Sequence, residues 1–150
     1  MGRKMRPGRR LGNQKTLDQL DIRAGTIELG GVRMVPAPLK PVISTKTLDQ
    51  LDIRAGTIEL VEEVPNSDKL VTLHVNFGDH KRRIVAGLRQ ERRNVKEIEG
   101  IQALFVVNLE PRKIRGVVSE GMLFDIGYAD GLKPVLAIPE ARVPDGTRAG

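Results

Sequence analysis

From Leu51 onward the chain alternates apolar and polar residues in short runs broken by turn residues, and this period of two decides what it can fold into. DIRAGTIELVEEV, residues 52–64, reads as a long first strand with Ile53, Ala55, Thr57 and Glu59 on one face and Arg54, Gly56, Ile58 and Leu60 on the other. Gly56 in its interior predicts a bulge or sharp bend. After a turn at Asn66-Ser67-Asp68, LVTLHVNFG forms a second strand, with Val71, Leu73, Val75 and Phe77 inward and Thr72, His74 and Asn76 outward. Gly78-Asp79-His80-Lys81 is a hairpin turn, and Arg82 to Leu88 a third strand. RQERRNVKEIEG, residues 89–100, breaks the period; Val95 and Ile98 three apart predict a short amphipathic helix or loop, closed by Gly100. IQALFVVNL then reads as a strand buried on both faces, GMLFDIG as a fifth strand and PVLAIP as a short edge strand.

Five to six short strands with one short helix between the third and fourth is the order of an all-β, OB-fold Greek-key barrel. The domain spans residues 46–150. Residues 1–45 are of another kind. Residues 1–15 carry six basic groups, no acid and several Gly and Pro residues, a composition that predicts a basic, largely disordered N-terminal arm. KTLDQLDIRAGTIEL occupies residues 15–29 and recurs unchanged at 46–60. Two copies do not make a repeat architecture, which needs several stacked units. Only the second copy continues into further strands; the first runs into VPAPLKPVIST, whose spaced prolines favour an extended linker. The expectation is a local duplication in which the second copy is the structural one; the alternative is that the first copy is a spare strand, able to compete for the same slot or to pair with another protomer's edge.

The arm also explains the net charge of +6, since residues 1–46 hold +7 and residues 47–150 hold −1. Global charge is therefore a poor guide to a partner; its placement is a better one. Residues 79–115 contain 10 basic and 5 acidic groups, flanked by acidic stretches on either side. This window holds Lys81, Arg82 and Arg83, and ends on the cluster Arg112, Lys113 and Arg115 in a loop punctuated by Pro111 and Gly116. Asn108 and Ser119 flank that cluster with groups able to hydrogen-bond phosphates or base edges. With no Cys and only His74 and His80, the chain lacks material for thiol catalysis, a histidine metal site or a disulfide framework, and no phosphate-cradling glycine loop is present. No enzymatic activity, cofactor or metal is expected. No apolar run approaches the roughly 20 residues that span a bilayer, so no membrane partner is expected and the cytoplasm is the expected compartment.

LDIRAG, the PNSDKL turn, the VAGL strand end and the NL-x-PRK-x-RG-x-x-S-x-GM run from Asn108 to Met122 together resemble the tRNA-binding domain at the C-terminus of bacterial methionyl-tRNA synthetases. Similar modules occur in free-standing tRNA-binding proteins, CsaA chaperone-like proteins and the endothelial monocyte-activating polypeptide group. The resemblance covers about residues 47–150. It implies an OB fold that binds tRNA by shape and backbone, as a homodimer when free-standing or with an aminoacyl-tRNA synthetase as partner. It implies Arg112, Lys113, Arg115, Ser119 and Met122 as RNA-surface positions. Glu120 departs from the family's usual Gln, as do Val64 from His, Ala55 from Val and Ala86 from Ser. The Pro-Lys-Tyr insertion typical of CsaA proteins is missing. The alternative function the resemblance allows is a CsaA-like, export-related binder of unfolded polypeptide. Phe77 and Phe105 fall in the core, which leaves only Phe124 and Tyr128 for stacking, so recognition is expected to rest on phosphates, 2′-hydroxyls and shape.

Overall fold

The computed structural model describes residues 21–23, 26–29 and 32–150, with side chains from residue 35 onward. The arm expected over residues 1–15 lies outside the described residues. The chain divides into two compact units, residues 1–39 and 40–150. In the first, β1 (Asp21–Arg23), β2 (Thr26–Leu29) and β3 (Val32–Met34) form an antiparallel sheet in that order, with Asp21 opposite Glu28 and Ile27 opposite Met34.

The second unit begins with one helical turn, α1 (Thr45–Leu48), whose N-cap Ser44 accepts a hydrogen bond from the Thr47 amide at 3.1 Å. Then come β4 (Ile53–Glu63), β5 (Val71–Asn76) and β6 (Lys81–Ala86), joined as antiparallel neighbours. Further on are β7 (Gln102–Val106), β8 (Arg112–Ile114), β9 (Val117–Ser119), β10 (Met122–Leu123), β11 (Asp125–Ile126), β12 (Val135–Leu136) and β13 (Arg148–Ala149). The main sheet runs β10-β7-β4-β5-β6, with β13 pairing to β4. It is the curved sheet of the expected all-β barrel. Its open side is bridged where the segment after β9 meets β6: the Glu120 amide donates to the Arg83 carbonyl at 2.9 Å.

Alternation put the right residues inside. Val71, Leu73, Val75 and Phe77 are buried, and they meet Ile58, Ile84, Phe105 and Leu123 in one apolar cluster. Phe77 and Phe105 pack edge to face, 5.5 Å between ring centres, an arrangement that aligns ring edge with ring face. At the far end, Gln102 accepts from the Val143 amide and donates to the Val143 carbonyl and to Asp145. Thr57 donates to the same Asp145 carboxylate at 2.6 Å, so the C-terminal segment is latched across β4 and β7.

Three local expectations are corrected. Gly56 does not mark the bulge: pairing with β7 runs straight through it, opposite Ala103. Glycine is required there because a Cβ would lie 2.6 Å from Val75 Cγ1 and 2.7 Å from Phe77 Cε1. The bulge falls at Glu59, between the pairs Ile58–Val75 and Leu60–His74, and it turns both Ile58 and Val61 into the core. The Val61 amide donates instead to the Glu99 carboxylate at 3.1 Å. Second, residues 89–100 hold two 3₁₀ turns, Arg89–Glu91 and Val95–Ile98, rather than one helix. Two apolar anchors, Val95 and buried Ile98, are too few for an amphipathic helical face, and the α-helical turn of this unit precedes the barrel. Third, the fifth strand is split at Phe124: β10 pairs with β7, and β11 turns away to pair with β12.

Candidate nucleic-acid interface

The basic loop of the sequence is a hairpin. β8 and β9 pair antiparallel with Arg112 opposite Ser119, Lys113 opposite Val118 and Ile114 opposite Val117. The two turn residues, Arg115 and Gly116, have φ of 49° and 81°, the double left-handed conformation of a type I′ turn. Glycine takes that conformation freely, whereas at Arg115 it costs about 1 kcal/mol and is usually given to Asn or Asp. An arginine held there places a cation at the outermost point of the hairpin. Arg112, Lys113 and Arg115 are all exposed. Among the described residues none of the three has an ion-pair partner.

The remaining candidates divide sharply. Lys81 is exposed but paired with Glu59 at 3.0 Å. Arg82 lies half-buried and donates from Nη1 to the carbonyls of Val107 and Glu120, the latter at 3.1 Å. Its charge therefore ties β6 to the two ends of the segment that carries the hairpin. Arg83 is exposed, and its backbone amide donates to the Glu120 carboxylate at 2.9 Å. The carboxylate that departs from the family pattern thus bonds to β6 instead of standing free beside the cations. Ser119 is buried, accepting from the Val85 amide at 3.0 Å and donating to the Gly121 carbonyl at 3.1 Å. Asn108 accepts from the Asp52 amide at 2.8 Å and donates to the Gln50 carbonyl at 2.6 Å. Met122 is exposed beside the hairpin, where it lines a small hollow with Arg112, Ile114 and Ser119.

The candidates thus form a tip and a root. Arg112, Lys113, Arg115, Arg83 and Met122 face solvent; Asn108, Arg82 and Ser119 hold the hairpin to the barrel. Asp52, whose amide meets Asn108, also takes the side chains of Arg54, with Nε at 2.9 Å, and Arg148, with Nε at 3.3 Å. Hydrogen bonding from Arg54 is the main reason its carboxyl titrates below the ordinary 3.8, with Arg148 adding to the effect against the opposing influence of burial. Tyr128, one of the two rings the sequence left for stacking but no part of the expected RNA surface, is exposed at the start of a 3₁₀ turn, Tyr128–Asp130. Its only signal was being the single tyrosine of the chain.

Comparison with known proteins decides the family. Residues 53–148 match the family described as "Putative tRNA binding domain". The chain belongs to this tRNA-binding domain family. The matched span runs from the first residue of β4 to the first of β13, the barrel with its hairpin. Relatives include the methionine–tRNA ligase of Parabacteroides distasonis, 40% identical over 85 residues, which cover 57% of this chain and 12% of that protein. The ligase of Thermococcus kodakarensis is 39% identical over 88 residues, 59% of this chain and again 12% of that protein. The chain therefore spans about an eighth of these curated relatives. Among solved structures, the MetRS-related protein of Pyrococcus horikoshii superposes with a TM-score of 0.69 at 31% identity, covering 74% of this chain and all of that one. The chaperone CsaA of Bacillus anthracis gives 0.64 at 27% identity, covering 73% of this chain and all of that one. Solved structures with both kinds of name thus share the barrel described above.

Proposed function

We propose that the domain is a non-catalytic tRNA-binding module that holds tRNA by backbone and shape, with the β8–β9 hairpin as its principal grip. The observation that carries this reading is the set of three exposed cations on a tight hairpin, Arg112 and Lys113 on β8 and Arg115 in its two-residue turn, none with an ion-pair partner among the described residues, in a protein of the tRNA-binding domain family. A rigid cationic finger neutralises phosphates with little ordering cost and no sequence preference. Arg83 extends the surface along β6, and Met122 gives it an apolar flank. Within the same proposal the module works in the cytoplasm, as a homodimer or beside an aminoacyl-tRNA synthetase. The matching of this chain to a small part of synthetase relatives supports the second partnership.

The test is a titration with tRNA, single-stranded RNA and duplex DNA over a range of salt. Replacing Arg112, Lys113 and Arg115 together by Ala is expected to weaken tRNA binding and to lower the salt slope by about 2 to 3, since each lost phosphate contact removes roughly 0.7–0.9. Unchanged affinity at moderate salt would overturn the proposal. The likeness to CsaA favours a competing reading as a binder of unfolded polypeptide; capture of extended peptides that survives high salt and excess tRNA would establish it.

A further inference from the structure

Resting on the tRNA-binding reading, we infer that the groove beside the hairpin is a subsite for unpaired nucleotides, with Tyr128 as its stacking platform. Two adjoining hollows share Gln90, Glu91 and Tyr128. The larger, about 610 Å³, is also lined by Lys69, Arg112 and Asp125; the smaller, about 470 Å³, by Lys133. Both volumes lie in the range of small-ligand sites. Tyr128 is 70% exposed, far more than an aromatic ring needs to be for packing, and it lines both hollows. An exposed ring bordered on either side by cations fits a strand whose bases stack while its phosphates are neutralised.

The polar groups narrow the occupant further. The Gln90 amide and the Asp125 carboxylate offer hydrogen bonds to a base edge, and a carboxylate accepts from an exocyclic amine. The Glu91 carboxylate, in the lining of both hollows, is a further acceptor. These acceptors favour cytosine, adenine or guanine over uracil. Because Arg112 and Ile114 of the hairpin also line the larger hollow, a helix held by the hairpin would deliver its single-stranded extension directly into the groove. A stem that ends in unpaired nucleotides is the element this arrangement accommodates; a blunt duplex would leave it empty.

The chain contains one Tyr and no Trp, so its intrinsic fluorescence reports on this ring. The full-length protein would be titrated with an RNA hairpin bearing a four-nucleotide 3′ extension and with the same hairpin cut blunt, at matched absorbance. The extended RNA is expected to bind more tightly and to quench Tyr128, whereas the blunt RNA binds without quenching. Tyr128→Ala should lose about fivefold to a hundredfold of the affinity for the extended RNA and none for the blunt one, while Tyr128→Phe keeps the preference. Equal binding of both RNAs, with Tyr128 fluorescence unmoved, overturns the inference and leaves tRNA binding standing. Failure of both RNAs to bind while tRNA still binds also overturns the inference, and failure of tRNA itself to bind overturns the functional proposal. Quenching by an extended peptide but by neither RNA assigns the groove to polypeptide and also overturns the inference.

Discussion

Replacing Asn108 separates the root of the hairpin from its tip. The side chain was an RNA-contact candidate on sequence grounds, yet its amide accepts from Asp52 at 2.8 Å and donates to Gln50 at 2.6 Å. Each such bond contributes about 0.5–1.5 kcal/mol net. Asn108 is exposed, so water takes over part of both bonds in Asn108→Ala, and a loss of about 1–2 kcal/mol is expected. For a domain of this size that corresponds to a fall in Tm of about 4–12 °C. The measurement is thermal unfolding by circular dichroism, followed by a tRNA titration well below the variant's Tm. The variant is expected to unfold early but to bind with the same salt slope as the parent, because no phosphate contact has been removed. Asn108→Asp keeps the acceptor for the Asp52 amide but sets a carboxylate oxygen against the Gln50 carbonyl, and should unfold early because a donor is lost and two acceptors face each other. An unchanged Tm together with a reduced salt slope would refute the reasoning and return Asn108 to the RNA surface.

Two further outcomes follow from the barrel. Gly56→Ala should destabilise the fold by about 1–3 kcal/mol, since the added methyl meets buried Val75 and Phe77 at under 3 Å; a neutral result in urea unfolding would show that the β4–β5 packing yields. Asp52 titrates below its ordinary 3.8 because Arg54 and Arg148 hydrogen-bond its charged form. Its stabilising contribution is therefore complete above that value and is lost as pH falls through the depressed one; Asp52→Asn should flatten this acid limb, which unfolding midpoints measured from neutral pH downward would reveal.

The strands were legible because burial on one face writes a period of two into the sequence, and β5 shows it at Val71, Leu73 and Val75, with Phe77 just beyond its end, although Thr72, expected to face outward, is buried as well. The hairpin was not. Arg112, Lys113 and Arg115 are exposed, Ile114 is only half-buried, and an Arg-Gly turn lacks the Asn-Gly signature of a type I′ hairpin. Nor does residue type reveal what a polar side chain bonds to. Arg82, Asn108 and Ser119 carry the chemistry of phosphate ligands, and each is taken up by main-chain groups that lie far away along the chain. The family motif from Asn108 to Met122 therefore mixes two kinds of position, those that touch solvent and those that hold the finger in place. The displaced bulge has the same origin: Glu59 is set by the partner strand and by Glu99, neither of which is visible in the local sequence.

The duplicated segment shows how far local sequence falls short of deciding structure. DIRAGTIEL gives two short paired strands, β1 and β2, in its first copy and one unbroken strand, β4, in its second. What differs is the continuation. Val61 and Val64 follow the second copy and are 1% and 2% exposed; the corresponding positions after the first copy are Gly30 and Arg33. Burying two valines contributes about 3–6 kcal/mol, and a lone arginine in the place of Val64 adds the cost of an unpaired buried charge. Closing the longer loop that would result if the first copy occupied the barrel costs only about 1–2 kcal/mol, so side-chain burial outweighs chain length in selecting the copy. Ile58→Asp places a charge at a fully buried site of the second copy and should unfold the barrel. The intact first copy, carrying Ile27 at the equivalent position, should fail to restore it unless Gly30→Val and Arg33→Val are introduced as well. A folded barrel in the Ile58→Asp chain, seen as native amide protection over β5 and β7, would mean that the fifteen shared residues suffice and that the argument from Val61 and Val64 is wrong.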